Sequence, residues 1–202
     1  MGLASLTIPA LAARLEVGIT SIYWHVHNRD ELVLLMSERA IERLDGLLPG
    51  LDGWEPADWR SYLRGYFTRQ RDIFADDDLL TDLTVMRVTK SHPTTLQRAF
   101  PGVERVLRYL TAAGFSPIDA WNLYSALSMY TQGFAVVERR SREIGIPLEA
   151  DLQAGRVDAE QTPIIAELAR TGAVSLDLAG DHAFRSGLEW LLDGAAARAP
   201  RG

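Results

Sequence analysis

The chain has 202 residues, 47% of them hydrophobic and 24% charged, and these ordinary globular values argue against disorder. The absence of cysteine excludes disulfide scaffolds, cysteine-zinc sites and thiol catalysis. No apolar run is long enough to span a bilayer and no basic-then-apolar leader begins the chain, so we expect a soluble cytoplasmic protein. The net charge of −6 is unfavourable for binding a polyanion but does not exclude it, since a few cations and helix N-termini on one face can hold phosphates.

The spacing of apolar residues predicts helices nearly throughout, with no convincing run of alternating strand residues. Thr7 is placed to cap a first short helix, and we expect Gly18 to end that helix before a second one over about 19–26. Asn28, with a glutamate three positions later, predicts the start of a third helix that ends before Pro49. The fold class expected from this pattern is all-α.

The stretch Pro49–Pro56 is rich in glycine, proline and aspartate, which is typical of a joint between domains. We therefore divide the chain into a head, residues 1–48, and a body, residues 49–202. The acidic run 76–78 is interpreted as a solvated turn or helix start rather than a metal site, and 145–162 as a long mobile connection. The same spacing predicts body helices over about 59–73, 79–88, 101–113, 118–142, 163–170 and 181–197.

Two short helices joined by a tight turn are the arrangement that reads DNA in the major groove. Such pairs are also common in ordinary cores, where Tyr23 and Trp24 would be buried aromatics. The informative run reads Ile22-Tyr23-Trp24-His25-Val26-His27-Asn28-Arg29. It closely resembles the DNA-binding head of the tetracycline-repressor family, in which Leu/Ile-Tyr-Trp-His-Val followed by Asn and a basic residue closes the recognition helix.

The resemblance implies a helix-turn-helix head and a ligand-responsive transcriptional repressor that binds operator DNA and leaves it when a small organic effector binds. It implies base or groove-floor contacts for Thr20 and Tyr23. It implies phosphate contacts for Thr7, Ser21, Trp24, His25 and Arg29. Ile19 stands where the reader of the tetracycline operator has a Gln, so we expect an apolar contact there, for example with a thymine methyl group, and a different operator.

The body resembles the same family in its later helices. Gly114-Phe115-Ser116 opens a long helix like the family's dimerisation helix, and 162–165 and 184–189 are similar to its last two helices. The resemblance implies a homodimer formed through residues 118–142 and 181–197 in a four-helix arrangement.

The effector is expected to bind without a metal or other cofactor. In tetracycline-binding members a His, an Asn and a Gln hold the drug and its magnesium; here Tyr66 and Val106 stand at the Asn and Gln positions, and His92 is out of register. A pocket for a hydrophobic or aromatic effector is more consistent with the residues present. Its candidate lining is Trp59, Tyr66, Met86, His92, Phe100, Trp121, Tyr124 and Tyr130, although each is individually more typical of a core.

One departure from the family pattern, and one alternative function that follows from it, stay open. The chain begins about where the family's first helix ends, so that helix is expected to be missing and Leu11, Leu15 and Val26 to lack a packing partner. The alternative function is therefore a dimeric small-molecule-binding module with impaired DNA binding. We expect no enzyme, because the sequence has no nucleophile elbow, zinc-protease helix, phosphate-binding glycine loop or dinucleotide fingerprint.

Overall fold

Helices build the described part of the chain, and no strand occurs within it, which confirms the all-α fold class. The computed structural model describes residues 3–86, 93–144, 158–171 and 179–198. In these ranges the chain forms nine α-helices: α1 (Ile8–Arg14), α2 (Ile19–Tyr23), α3 (Arg29–Leu47), α4 (Trp59–Asp76), α5 (Asp78–Thr81), α6 (Pro93–Ala112), α7 (Pro117–Ile144), α8 (Pro163–Thr171) and α9 (Asp181–Ala196). Short 3-10 turns, Leu3–Ser5 and Pro56–Asp58, precede α1 and α4.

The chain groups into two compact units by its internal contacts. One unit comprises Met1–Leu51 and Asp76–Arg108, and the other comprises Asp52–Ala75 and Tyr109–Gly202. These units do not coincide with the predicted head and body, so the domain division at residue 48 stays a prediction. No helix in the described ranges is long and apolar enough to cross a membrane.

The first and third helices begin at the caps that the sequence predicts. The Thr7 hydroxyl accepts a hydrogen bond from the Ala10 N–H at 3.2 Å, and Asn28 Oδ1 accepts one from the Glu31 N–H at 2.9 Å. The Glu31 carboxylate in turn accepts from the His27 N–H at 2.6 Å, one residue earlier than an ordinary capping box. Both caps satisfy N–H groups that the first helical turn leaves unpaired.

The turn between α1 and α2 differs from the prediction. We expected Gly18 to break α1, but α1 ends at Arg14, and the left-handed residue of the turn is Glu16, with a φ of 55°. Gly18 has an ordinary φ of −65° and is the N-cap of α2. The second helix also ends sooner than predicted, at Tyr23, because the His25 N–H bonds to the carbonyl only three residues back.

The acidic run 76–78 begins a helix, as predicted, because Asp77 Oδ1 accepts a hydrogen bond from the Leu80 N–H at 2.9 Å and caps α5. The single helix predicted over 79–88 is present as far as Met86 but changes type within its length, and positions 87–88 lie outside the described residues. The α-helical part closes at Thr81 and continues as a π-helical turn, Asp82–Met86.

The start of α6 differs from the prediction. The helix begins at Pro93 and runs through Pro101, the residue at which the sequence predicts its start. From residue 97 on, where burial in α6 is described, the buried apolar residues Val106, Tyr109 and Leu110 all lie after that proline. By contrast, α7 and α9 agree with their predicted bounds to within two residues. The connection predicted as mobile lies mostly outside the described residues.

Candidate DNA-binding surface and effector-binding body

The second helix of the head buries none of its residues and presents large side chains to solvent. Ile19 and Tyr23 are about half exposed, and Trp24, which follows the helix, is 84% exposed. The other predicted contact residues of this segment, Thr20, Ser21 and His25, are exposed as well. A contiguous exposed apolar patch, unlike a single exposed residue, marks an interaction site. The interpretation of Tyr23 and Trp24 as core aromatics is therefore wrong.

Buried apolar side chains hold the two short helices of the head together. Ile8, Ala12 and Val26 are buried, so the two short helices share a small core. Val26 is buried, so the expectation that it lacks a packing partner is wrong. Leu15 is exposed, in agreement with that expectation.

Arg29 is held by backbone carbonyls in the structure. Its Nε donates to the Leu6 carbonyl at 2.8 Å and its Nη2 donates to the Leu3 carbonyl at 2.7 Å. The guanidinium therefore fastens the segment before α1 to the first turn of α3. Phosphate contact by Arg29 stays a prediction, and the geometry gives this residue a positioning role besides.

The N-terminus of α3 also carries a hydrogen-bonded pair, His27 and Glu31. The pKa of Glu31 lies below its usual value, first because the carboxylate accepts the His27 N–H and then because the His27 ring lies 2.9 Å away. The ionised carboxylate is thus favoured at the electropositive end of the helix.

In the body, the predicted effector residues fall into separate groups. Tyr66 is buried and contacts Phe67, with ring centroids 5.1 Å apart, and Phe67 contacts Tyr124 at 5.9 Å. Trp59 instead packs edge-on against Phe115 at 5.0 Å. The structure therefore links Tyr66 and Tyr124 through one intervening ring and places Trp59 in a different cluster.

Tyr130 is engaged in helix packing. Its hydroxyl lies 3.1 Å from the Ala183 carbonyl and 3.0 Å from the Phe184 carbonyl, and its ring stacks on Phe184 with centroids 5.5 Å apart. A single hydroxyl proton is shared between two carbonyls on α9. Tyr130 therefore joins α7 to α9, and a role in effector binding stays a prediction.

The contacts of the remaining predicted effector-binding residues give less information about an effector site. Phe100 and Trp121 are about half exposed, and Val106, the counterpart of the family's Gln, is fully buried. Met86 ends the π-helical turn, and His92 lies outside the described residues. In the described ranges, no group of three metal-ligating side chains comes together.

A buried arginine that the sequence interpretation missed joins three helices of the second unit. The Nε and Nη2 atoms of Arg71 donate to the Glu138 carboxylate at 3.2 and 2.8 Å, and Nη1 donates to Asp181 at 2.6 Å. The guanidinium also lies 5.2 Å from the Phe134 ring centroid and 4.8 Å from that of Phe184. Burial disfavours the charged form, yet the hydrogen bonds that Arg71 donates to Glu138 and Asp181 raise its pKa overall.

A second ion-pair group joins α9 to α4. The Glu189 carboxylate accepts hydrogen bonds from Arg64 and Arg60, and Arg60 also contacts Asp193. The bond from Arg64, followed by that from Arg60, lowers the pKa of Glu189 from 4.5 to about 2. The carboxylate is therefore ionised at every pH where the protein is expected to act.

Replacing Glu189 with Gln tests this pair through pH. The lowered pKa means that ionised Glu189 stabilises the fold above pH 4.5 and that this stabilisation is lost as the pH falls toward 2. Because the side chain is 35% exposed, solvent screening limits the effect to about 1 kcal/mol at neutral pH. Urea unfolding of the unmodified chain and of Glu189→Gln should give free energies of unfolding whose difference is constant from pH 8 to about 5. Below about pH 5 this difference should become smaller. A difference that stays constant down to pH 3 would contradict the assignment.

Comparison with known proteins gives a consistent result across most of the chain. Residues 54–199 match the family described as "Tetracyclin repressor-like, C-terminal domain". A helix-turn-helix transcriptional repressor of Mycobacterium tuberculosis is 33% identical over 194 residues, covering 95% of this chain and 72% of the relative. The class A tetracycline repressor of transposon 1721 from Escherichia coli is 32% identical over 203 residues, covering 98% and 84%.

A solved structure is similar over nearly the whole length. The Streptomyces coelicolor protein ActR, crystallised in complex with actinorhodin, superposes with a TM-score of 0.74 and 25% sequence identity. The superposition covers 99% of this chain and 91% of ActR. Both the head and the body therefore have their counterparts in one known architecture.

Proposed function

The chain belongs to the tetracycline-repressor (TetR) family of transcriptional repressors, and on that basis we propose that it binds operator DNA as a homodimer and leaves it when a neutral organic effector enters the body. Members of this family bind operator DNA, bind small-molecule effectors and act as dimers. The observation that carries the proposal is the exposed second helix of the head, which buries none of its residues and is followed by the exposed Trp24.

In the proposed complex, α2 lies in the major groove. Thr20 and Tyr23 face the bases, and Ile19 offers an apolar surface suited to a thymine methyl group. The hydroxyl of Ser21 and the indole N–H of Trp24 are donors suited to phosphate oxygens. These contacts set the position on DNA without a strongly basic surface, which the head does not have.

The dimer interface is supported by an exposed stripe on α7. Ile118, Met129 and Val137 are exposed and lie on one side of the helix, opposite the buried residues Leu127 and Thr131. Gly133 lies on the same exposed side, and a Cβ there would meet nothing within 4 Å in this chain. A glycine in the middle of a helix is unfavourable by itself, and close approach of a second helix would explain it.

The last helix has the same features. Trp190 is 76% exposed, and Gly194, one turn later, also has open space where a Cβ would be. The α7 and α9 helices pack against each other within the chain. Two copies that joined these faces would bury the exposed residues in a four-helix interface, as the resemblance to the family implies.

Effector binding and DNA binding are proposed to oppose each other through the dimer. Two heads must sit about 34–36 Å apart to enter successive major grooves, so an effector that favours another spacing weakens DNA binding. Thermodynamic linkage requires that operator DNA weaken effector binding by the same factor. The proposal assigns no catalytic step to the protein and places it in the cytoplasm, with the DNA.

Replacing Trp24 with Ala is the sharpest test of the recognition surface. Because the side chain is 84% exposed, the substitution should leave the melting temperature unchanged. It should weaken binding to a duplex selected from random sequence by about tenfold, as expected for losing one hydrogen bond and its contact area. Gel shift at fixed salt measures the affinity, because phosphate contacts make it depend on ionic strength.

Leu47→Ala is the matched control, since Leu47 is also an exposed apolar residue but lies at the far end of α3. Both variants should fold alike, and only the Trp24 variant should lose affinity. Equal affinities for Trp24→Ala, Leu47→Ala and the unmodified chain would contradict the proposed phosphate contact of Trp24. The alternative function, a ligand-binding dimer with impaired DNA binding, would be favoured if selection from random sequence enriched no duplex above non-specific binding.

A further inference from the structure

Three buried side-chain oxygens in the second unit have no hydrogen-bond partner among the described residues: Gln70 Oε1, Ser128 Oγ and Thr131 Oγ1. Gln70 is 4% exposed and Thr131 is completely buried. A helical threonine that faces the interior usually bonds to the carbonyl four residues earlier. Thr84 does so here, with its hydroxyl 2.8 Å from the Leu80 carbonyl, whereas Thr131 makes no such bond.

The three oxygens belong to one stretch of two neighbouring helices. At one end of the stretch the Phe67 and Tyr124 rings join α4 to α7, and at the other end Arg71 contacts Phe134. Gln70 lies between Phe67 and Arg71 along α4. Ser128 and Thr131 lie between Tyr124 and Phe134 along α7, at positions that share a helix face.

The chemistry of the stretch selects a particular kind of molecule. An amide oxygen only accepts hydrogen bonds, and a hydroxyl can accept or donate, so a suitable occupant must carry hydrogen-bond donors. Within the described ranges Arg71 is the only charged side chain classed as buried, and Glu138 and Asp181 already pair with it. Among the described residues, therefore, no buried charge is left to neutralise a charged occupant, whose desolvation would then be uncompensated.

We propose that Gln70, Ser128 and Thr131 are the polar anchors of the effector site and that the effector is an uncharged aromatic molecule with hydroxyl groups. Its rings pack beside Tyr66, Phe67 and Tyr124, and its hydroxyl groups donate to the three anchors. The inference rests on the proposed function in one respect, because it names the ligand class of the same helical body. Buried polar groups without a partner cost stability, and proteins retain that cost where a ligand removes it.

Paired probes test the proposal on the full chain. Resveratrol and 2,7-dihydroxynaphthalene are neutral aromatic molecules with hydroxyl groups, and their methyl ethers keep the rings but cannot donate. Isothermal titration calorimetry should show at least one hydroxylated probe binding about tenfold or more tightly than its methyl ether, the expected effect of one lost hydrogen bond inside a protein. If neither hydroxylated probe binds, or if each methyl ether binds equally well, the proposal is overturned.

Two variants identify the anchors. Thr131→Val and Gln70→Met preserve side-chain volume while removing the unpartnered oxygens, so we expect an unchanged or higher melting temperature. Each variant should also bind the hydroxylated probe and its methyl ether with similar affinity, which is the loss of discrimination that the proposal predicts. Thr84→Val is the matched control, because it removes a hydroxyl that already has a partner. It should lower the melting temperature and leave the discrimination intact.

The outcomes show whether the three residues bind the effector or only support the fold. They also test the repressor function independently of the effector site. A melting temperature that falls in Thr131→Val and Gln70→Met, with discrimination kept, would mean that buried water or other protein groups satisfy these oxygens, which overturns the proposal. Operator affinity is measured separately by gel shift without any probe. If the protein binds DNA but no probe, the anchor assignment fails alone; if a probe binds through its hydroxyl groups but no duplex is selected, the repressor function fails alone.

Discussion

Replacing Arg71 with Leu is expected to lower the free energy of unfolding by about 3 kcal/mol or more, because it removes one partner of a buried ion pair. Arg71 is buried and makes three hydrogen bonds to carboxylates on α7 and α9, between two phenyl rings. Without it, the Glu138 carboxylate loses both of its hydrogen bonds from Arg71 at a site where water has little access. Urea unfolding followed by circular dichroism measures the loss.

The neighbouring Arg69 provides the control, because it lies on the same helix and is exposed. Arg69→Leu should change the free energy of unfolding by no more than about 0.5 kcal/mol. Adding Glu138→Gln to Arg71→Leu should recover part of the loss, since the second change removes the buried charge that the first leaves unpaired. An Arg71→Leu protein as stable as Arg69→Leu would show that the cluster does not hold these helices together.

Replacing Gly187 with Ala should be the second most destabilising change, at about 2 kcal/mol, because it overpacks the contact between α7 and α9. A Cβ at Gly187 would lie 2.2 Å from the Tyr130 hydroxyl oxygen and 2.7 Å from Cζ of the same ring. To relieve this contact Tyr130 must move, which breaks its hydrogen bonds to the Ala183 and Phe184 carbonyls. Thermal unfolding measures the change.

Gly65 gives the comparison, since it also lies within a helix but has nothing within 4 Å of the position a Cβ would take. Gly65→Ala should be neutral or stabilise the protein by up to about 1 kcal/mol, as helix propensity predicts. If Gly187→Ala behaves in the same way, the close packing of Tyr130 on α9 is not a constraint on the fold.

The helix caps show what a sequence can predict. The contacts of Thr7, Asn28 and Asp77 reach only three residues along the chain, so the local order of residues is sufficient to place them. The family resemblance, too, came from a continuous run of eight residues. Even so, the left-handed turn at Glu16 was missed, because a glycine two residues later was the stronger local signal.

The site in the body could not be predicted in the same way. Arg71 meets partners 67 and 110 positions away, and no local pattern indicates which carboxylates a buried arginine will meet. Gln70 and Thr131 are distinguished only by hydrogen bonds that they do not make, which requires the neighbouring helices to be in place. Aromatic residues are the natural candidates from the sequence, and one of them, Tyr130, also packs two helices together, so its role in effector binding stays a prediction.

Selection of duplexes from random sequence with the full chain, followed by footprinting of the enriched site, tests the central claim most directly. The account predicts one enriched sequence with two-fold symmetry, protected over two half-sites about 10 base pairs apart or a multiple of that spacing. It also predicts that the hydroxylated probe bound in the body removes the protection at concentrations where its methyl ether does not. Enrichment of no sequence above non-specific binding, or protection that no bound probe changes, would contradict the account of a ligand-released repressor.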